Sequence, residues 1–176
     1  MSWFRWFVVG LLAGLTALAL LFWRGDSAGS ELVNFAALLD TATVRRPRDA
    51  VFSVTEIAIA GESRRAIAMT EASRLAWDVT PLEGQTLEVE AGLREDGWSS
   101  EANAVLFRVG LSYDGQYEDL VAQVINPASS ADHRQWVPLQ VDLSPYAGQS
   151  AWIVLVQRHV KGRNPRVVWQ KAELQP

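Results

Sequence analysis

The sequence predicts an all-β fold, a β-sandwich preceded by one N-terminal transmembrane α-helix. Three observations predict it: an uncharged apolar run from Trp6 to Trp23, period-two alternation of apolar residues through most of the chain after Ala50, and turn residues at short intervals between the alternating runs. Of the 176 residues, about 120 to 130 remain for a folded domain once a helix and a linker are set aside, enough to bury a core. The boundaries expected are an anchor over 1–24, a juxtamembrane linker with a short helix over 25–50, and the sandwich over 51–176.

The anchor comes first in the chain. About 18 residues from Trp6 to Trp23 carry no charge, the length a helix needs to cross hydrocarbon. Trp3, Trp6, Phe22 and Trp23 bracket the run, as amphipathic rings do at headgroup level. A cleaved leader would end in small residues, whereas Phe22, Trp23 and Arg24 occupy that place; Ser27 to Gly29 are the alternative cleavage signal. Arg5 and the free amino group precede the run, while Arg24 is offset by Asp26 and Glu31, which places the N-terminus in the cytoplasm and the C-terminal domain in the periplasm or outside the cell. Gly10 and Gly14 form a G-x-x-x-G step that could bring two such helices into a homodimer, beside the simpler reading that glycine is common in membrane helices.

Arg24 to Ser30 is short and polar, and Glu31 to Thr43 places Leu32, Phe35, Ala36, Leu38 and Leu39 at near-helical spacing, which predicts a short amphipathic helix before the basic turn Arg45-Arg46-Pro47-Arg48. That turn reads as solvated linker, or as a weak contact with anionic headgroups. Beyond it, strands are expected within 51–69, then at Leu75 to Val79, Leu87 to Leu93, Val105 to Tyr113, Leu120 to Val124, Val137 to Leu143, Ala151 to Val156 and Arg166 to Leu174. Ala151 to Val156 is apolar on both faces, as a central strand is. Gly61-Glu62, Pro81 to Gly84, Asp114-Gly115, Asn126-Pro127 and Lys161-Gly162 supply the turns, and connections this short fit antiparallel pairing. Eight or nine strands in two packed sheets imply a jelly roll. After Asp142-Leu143, Ser144 is the expected cap of a single helical turn, with Pro145 at its first position and Gly148 closing it.

Trp136-Val137-Pro138-Leu139-Gln140-Val141-Asp142-Leu143-Ser144-Pro145-Tyr146-Ala147-Gly148-Gln149, followed by an apolar strand, resembles the strand-turn-strand of galactose-binding-domain-like jelly rolls of bacterial cell-envelope and carbohydrate-active proteins. The likeness extends through Gly61 to Ile67, Gly92-Leu93 and Val105 to Val109, over some two thirds of the chain. It implies a noncatalytic accessory module, many of which bind glycans. The chain departs from the pattern where Trp169 is followed by Gln170-Lys171-Ala172 instead of a Trp-Gly-x-Pro-like element.

Composition narrows the chemistry. Lys+Arg of 16 against Asp+Glu of 20, net −4, argues against nucleic acid as partner. With Cys at 0 there are no disulfides, thiolate metal sites or cysteine nucleophiles. Gly110-Leu111-Ser112-Tyr113-Asp114 lacks the second glycine of a nucleophile elbow, and His133 and His159 are too few for a zinc site. Glu88/Glu90, Glu95/Asp96 and Glu118/Asp119 read as solubilising charge; glycosidase acid and base is the sharper alternative. Asp96, Asp114 and Asp132 could contribute to a structural calcium site but lack EF-hand spacing, and no cofactor is assigned. Among the tryptophans outside the anchor, Trp77 and Trp152 fall on strand centres and are expected in the core, whereas Trp98 lies in a polar turn where a flat ring could stack on a sugar.

The resulting expectation is a membrane-anchored, noncatalytic extracytoplasmic module that meets membrane lipid through its helix and binds a glycan or an envelope protein through Trp98, Asp96, Tyr113, Tyr117 and His133. A structural or assembly subunit joined through the helix is the second reading, and a glycan-processing enzyme the third.

Overall fold

Alternating side chains become strands wherever one face finds a core, and the computed structural model, which describes residues 33–99, 103–161 and 167–175, shows this for every alternating run. In chain order the strands are β1 (Val33–Asn34), β2 (Val44–Arg46), β3 (Phe52–Ile59), β4 (Glu62–Met69), β5 (Ser73–Val79), β6 (Thr86–Leu93), β7 (Val105–Tyr113), β8 (Gln116–Ile125), β9 (Val137–Asp142), β10 (Ala151–His159) and β11 (Val167–Gln175). The expected transmembrane helix, with Trp6, Gly10, Gly14 and Trp23, lies outside the described residues. Among the described residues no helix is long and apolar enough to cross a membrane.

Two antiparallel sheets face each other. One runs β3-β4-β11-β6-β9 with β1 also on β11, and the other runs β2-β5-β10-β7-β8. Ile67, Met69, Leu87, Val89, Leu93, Leu139 and Trp169 of the first pack against Leu75, Trp77, Val105, Phe107, Leu111, Ile153 and Leu155 of the second. Phe107 meets Trp169 edge-on at 4.8 Å between ring centroids, a geometry that aligns the edge of one ring with the face of the other. Each such fully buried large side chain contributes roughly 1.5 to 3 kcal/mol relative to exposure.

The turns follow the local chemistry. Asp114-Gly115 and Ala60-Gly61 both place two successive residues at positive φ (48° and 72°, 52° and 79°), the conformation of a two-residue hairpin turn matched to strand twist. Gly148 (φ 74°) closes the 3₁₀ turn Ser144–Tyr146 as expected, but Ser144 lies inside that turn and Asp142 does the capping. Asp142 Oδ1 accepts from both the Ser144 amide (2.9 Å) and its hydroxyl (2.6 Å), and these bonds hold the Asp142 carboxyl below the usual carboxylate range.

The segment before Val51 differs from expectation. Instead of a helix, residues 33–43 form β1, a tight turn and the 3₁₀ turn Leu39–Thr41, with Leu38, Thr41 and Ala42 amides each bonded three residues back. Near-helical spacing is equally served by successive turns when a core pocket takes the side chains: Phe35, Ala36 and Leu39 are buried, and Phe35 packs on Trp77 at 4.7 Å. The indole N–H of Trp77 donates to the Leu38 carbonyl at 3.0 Å, satisfying the turn's backbone. Nor is the basic turn a free linker. Val44–Arg46 is an edge strand paired to β5, Arg45 meets Asp40 (3.6 Å) and Asp49 (3.1 Å), and Arg48 pairs with Glu71. β1 and β2 thus add two short strands to the eight or nine expected.

Candidate functional site

β4 pairs with β11 over Ala66 to Met69 alone, while its pairing with β3 continues to Ile59 and Glu62. The free part of this hairpin turns across the outward face of the six-stranded sheet. There Ile57 and Ile59 pack with Ala66, Val168 and Trp136 in a second, smaller apolar cluster. Gly92 on β6 makes the approach feasible, since a β-carbon there would sit 2.7 Å from Ile59 Cδ1. The Trp136 N–H donates to the Glu62 carbonyl (3.3 Å), and the Arg64 guanidinium lies 5.6 Å from the Trp136 ring centroid while pairing with Glu90 and Glu62. Those carboxylates raise the Arg64 pKa against the opposing effect of burial. At the hairpin tip, the Ala60 amide donates to Glu95 Oε1 at 2.8 Å.

Between the β3 arm and the loop that follows β6 lies a groove of about 500 Å³. Thr55, Glu56, Ile57 and Ala58 line one wall; Arg94, Glu95 and Asp96 line the other. The loop wall is fixed: residues Glu95–Gly97 form a 3₁₀ turn, Asn103 donates its side-chain N–H to the Gly97 carbonyl (2.7 Å), and Arg94 faces Asp96 at 3.8 Å. A hydroxyl, carboxylates and a guanidinium beside an Ile-Ala floor offer directional donors and acceptors around an apolar patch, which suits a polyhydroxylated ring. A cleft of about 210 Å³ on the same outward face runs over Glu88, Glu90, Pro138 and Gln140.

The expected contact residues do not converge on one place. Asp96 lines the groove. Trp98 is half-buried, packs on both apolar clusters and donates its N–H to the Leu93 carbonyl at 2.8 Å, so it covers the sandwich end as a plug. His133 sits on the β8–β9 loop, where its Nδ1 accepts the Asn126 amide at 3.1 Å and so orders that loop. Tyr113 is at the far end of β7, its ring 5.5 Å from that of Tyr146. Tyr117 lies on the outward face of the five-stranded sheet, above Gly110.

The acid pairs are likewise bound to partners. Glu90 is held by Arg64, Glu88 accepts from Gln175 (2.9 Å), Glu118 accepts the Tyr146 hydroxyl (2.9 Å), and Asp119 accepts from Tyr117 and Arg108. Burial, joined by the Asp119 hydrogen bond, pushes the Tyr117 phenol up to about 12, and burial with the Glu118 bond does the same for Tyr146. Asp119 is depressed: burial opposes ionisation, and the Tyr117 and Arg108 bonds outweigh it. Among the described residues no group of three or more His, Asp or Glu side chains is arranged to hold a metal ion.

One aromatic was missed. Trp152, expected in the core, is 41% exposed on the outward face of β10, because its neighbours Ile153 and Ala151 take the inward positions. The pattern of β10, apolar on both sides, concealed which face it used. Val154 and Val156 are buried on the outward side by a third small cluster with Ala76 and Val44.

No protein-family profile matches the chain, and no curated protein sequence does. Solved structures do match in fold. CBM51 from Clostridium perfringens GH95, in complex with methyl-galactose, aligns with a TM-score of 0.56 at 14% identity over 82% of this chain and 99% of that one. The CBM51-2 and INT domains of Clostridium perfringens ZmpB, in complex with GlcNAc, align with a TM-score of 0.56 at 12% identity over 82% of this chain; this chain spans 31% of that longer one. TmCBM61, in complex with beta-1,4-galactotriose, aligns with a TM-score of 0.54 at 11% identity over 75% of this chain and 86% of that one. These likenesses concern the fold, and with two antiparallel sheets packed face to face they make it a galactose-binding-like β-sandwich.

Proposed function

We propose that the chain is a noncatalytic glycan-binding module held at the outer face of a cell membrane by its N-terminal apolar segment. The groove between β3 and the Arg94–Asp96 loop carries the reading, because it places side-chain donors and acceptors around an apolar floor without a cofactor. The ligands named for the similar structures, methyl-galactose, GlcNAc and beta-1,4-galactotriose, supply the class to test: neutral sugars and short oligosaccharides. Titration of the purified full chain with methyl-galactoside and galactotriose should give saturable binding. Asp96→Ala should weaken it about ten-fold, as loss of one hydrogen bond to a charged group does. Unchanged affinity in that variant, or no binding to either sugar, would refute the groove as the site.

The membrane part is supported by the Trp6 to Trp23 run and its aromatic flanks. Full-length chain should sediment with membranes and resist carbonate extraction. A C-terminal alkaline phosphatase fusion should be active, whereas activity of a reporter that works only in the cytoplasm would reverse the orientation. A crosslinked dimer lost on Gly14→Leu is the outcome expected if Gly10 and Gly14 pair two helices.

A further inference from the structure

The outward face of the five-stranded sheet carries a second constellation, distant in topology from the groove. Strand register places Asp78, Trp152, Ser112 and Tyr117 in one row across β5, β10, β7 and β8, and Arg46, Arg74, Val156 and Arg108 in another across β2, β5, β10 and β7. Neighbouring strands lie about 4.8 Å apart, so each row presents its side chains at that spacing on a rigid surface. Trp152 and Tyr117 are about equally open, 41% and 40% exposed.

The two rows are joined by side chains. The Tyr117 ring folds over Gly110, where a β-carbon would come within 2.6 Å of the ring and 2.7 Å of the Glu118 carbonyl, so only glycine admits it. Arg74 leans toward it, its guanidinium 5.4 Å from the Tyr117 ring centroid. At that distance the contact is a cation–π one, and a guanidinium's planar fork of N–H donors is the group that binds a carboxylate or sulfate through two bonds. Arg108 pairs with Asp119 at 2.9 Å, but Arg46, Arg74 and Arg158, all exposed on this face, have no ion pair among the described residues. A chain of net charge −4 therefore concentrates unpaired arginines on one sheet face, beside an exposed indole.

We propose that this face binds an acidic polysaccharide, with Trp152 stacking on a pyranose ring and Arg74 taking the carboxylate or sulfate of a neighbouring sugar. Ser112 and Asp78, the row neighbours of Trp152, provide acceptors for ring hydroxyls; Asp78 is oriented by the Thr43 hydroxyl at 2.5 Å. The interleaved carboxylates of Asp78 and Asp119 repel a continuous phosphate chain, while serving a polymer that alternates hydroxyl edges with single acid groups. This site stands independently of the groove and takes a different ligand class, so failure of neutral sugars to bind leaves it untouched.

The test is titration of the purified full chain with trigalacturonate, alongside uncharged galactotriose, a single-stranded oligodeoxythymidylate and phosphatidylglycerol vesicles. Trigalacturonate binding that falls about ten-fold in each of Trp152→Ala and Arg74→Gln, persists in Leu82→Ala, and weakens between about 50 and 500 mM salt is the expected result. Circular dichroism identical to the parent keeps the variants interpretable. Absence of trigalacturonate binding, parental affinity in either variant, or tighter Arg74-dependent binding of the oligonucleotide or the vesicles would overturn it.

Discussion

Gly92 lies directly beneath Ile59, so close that a β-carbon on the glycine would reach the isoleucine Cδ1 at 2.7 Å. Ile59 is fully buried although it belongs to the outward side of its sheet, and the absence of a side chain at Gly92 is what allows the β3–β4 hairpin to settle there. Gly92→Val should destabilise by about 1 to 3 kcal/mol through overpacking, measured as a lower urea midpoint at unchanged slope. A neutral result would mean that the hairpin rests elsewhere in solution.

Trp136 is the second member of that junction, buried and bonded to Glu62 across 74 residues of chain. Trp136→Ala should cost about 3 to 5 kcal/mol, the range for deleting a large buried aromatic. Because the hairpin supplies one wall of the groove, sugar affinity should fall in the same variant even under conditions where it remains folded.

Glu95 tethers the hairpin tip by accepting the Ala60 amide. Glu95→Ala should speed hydrogen exchange at Ala60 well above its rate in the parent, while the amides of β6 and β7 keep their protection. Exchange at Ala60 unaffected by the substitution would remove the tether from the account.

Tyr117 and Tyr146 are both pushed up to about 12 from the ordinary 10.0. A raised folded-state pKa contributes stability that is complete below the unfolded value and is lost as pH climbs through the folded one. Stability should therefore decline between pH 10 and about 12, and Tyr117→Phe and Tyr146→Phe should each flatten that decline. Ultraviolet tyrosinate absorbance should show two of the three tyrosines ionising near 12.

Asp119 has the opposite sign, depressed below 3.8 despite its burial by the Tyr117 and Arg108 bonds. Its contribution is present above the unfolded value and is lost as pH falls below it. Asp119→Asn should lessen the acid dependence of stability below about pH 4 and loosen Tyr117, returning its titration toward 10. An acid limb identical to the parent would assign that dependence to other carboxylates.

Much of the sandwich was legible in the residues themselves. β7 has the bounds its sequence predicts, Val105–Tyr113, because a run of alternation ending in Asp114-Gly115 specifies both a strand and the hairpin that follows it. Local chemistry sufficed there, since the period of two and the positive φ at the turn are properties of adjacent residues. Phe35 to Leu39 departs from the local pattern: spacing of 35, 36 and 39 fits one helical face, and only the pocket beside Trp77 decides that turns deliver those side chains instead. Of the groove, Asp96 was named, but its partners Thr55 and Glu56 could not be, since they reach it through a hairpin that crosses strands distant in sequence.

Alternation determined that this chain makes strands, and the turn residues at short intervals between the runs determined where they turn and that they pair antiparallel. Tertiary structure decided which side of each strand meets a core, because a period of two defines two faces and says nothing of what covers either one. Trp77 and Trp152 show the difference: both lie in apolar strand runs, yet one is 3% exposed and the other 41%, since Trp77 is paired with inward Ile153 while Trp152 is paired with outward Asp78.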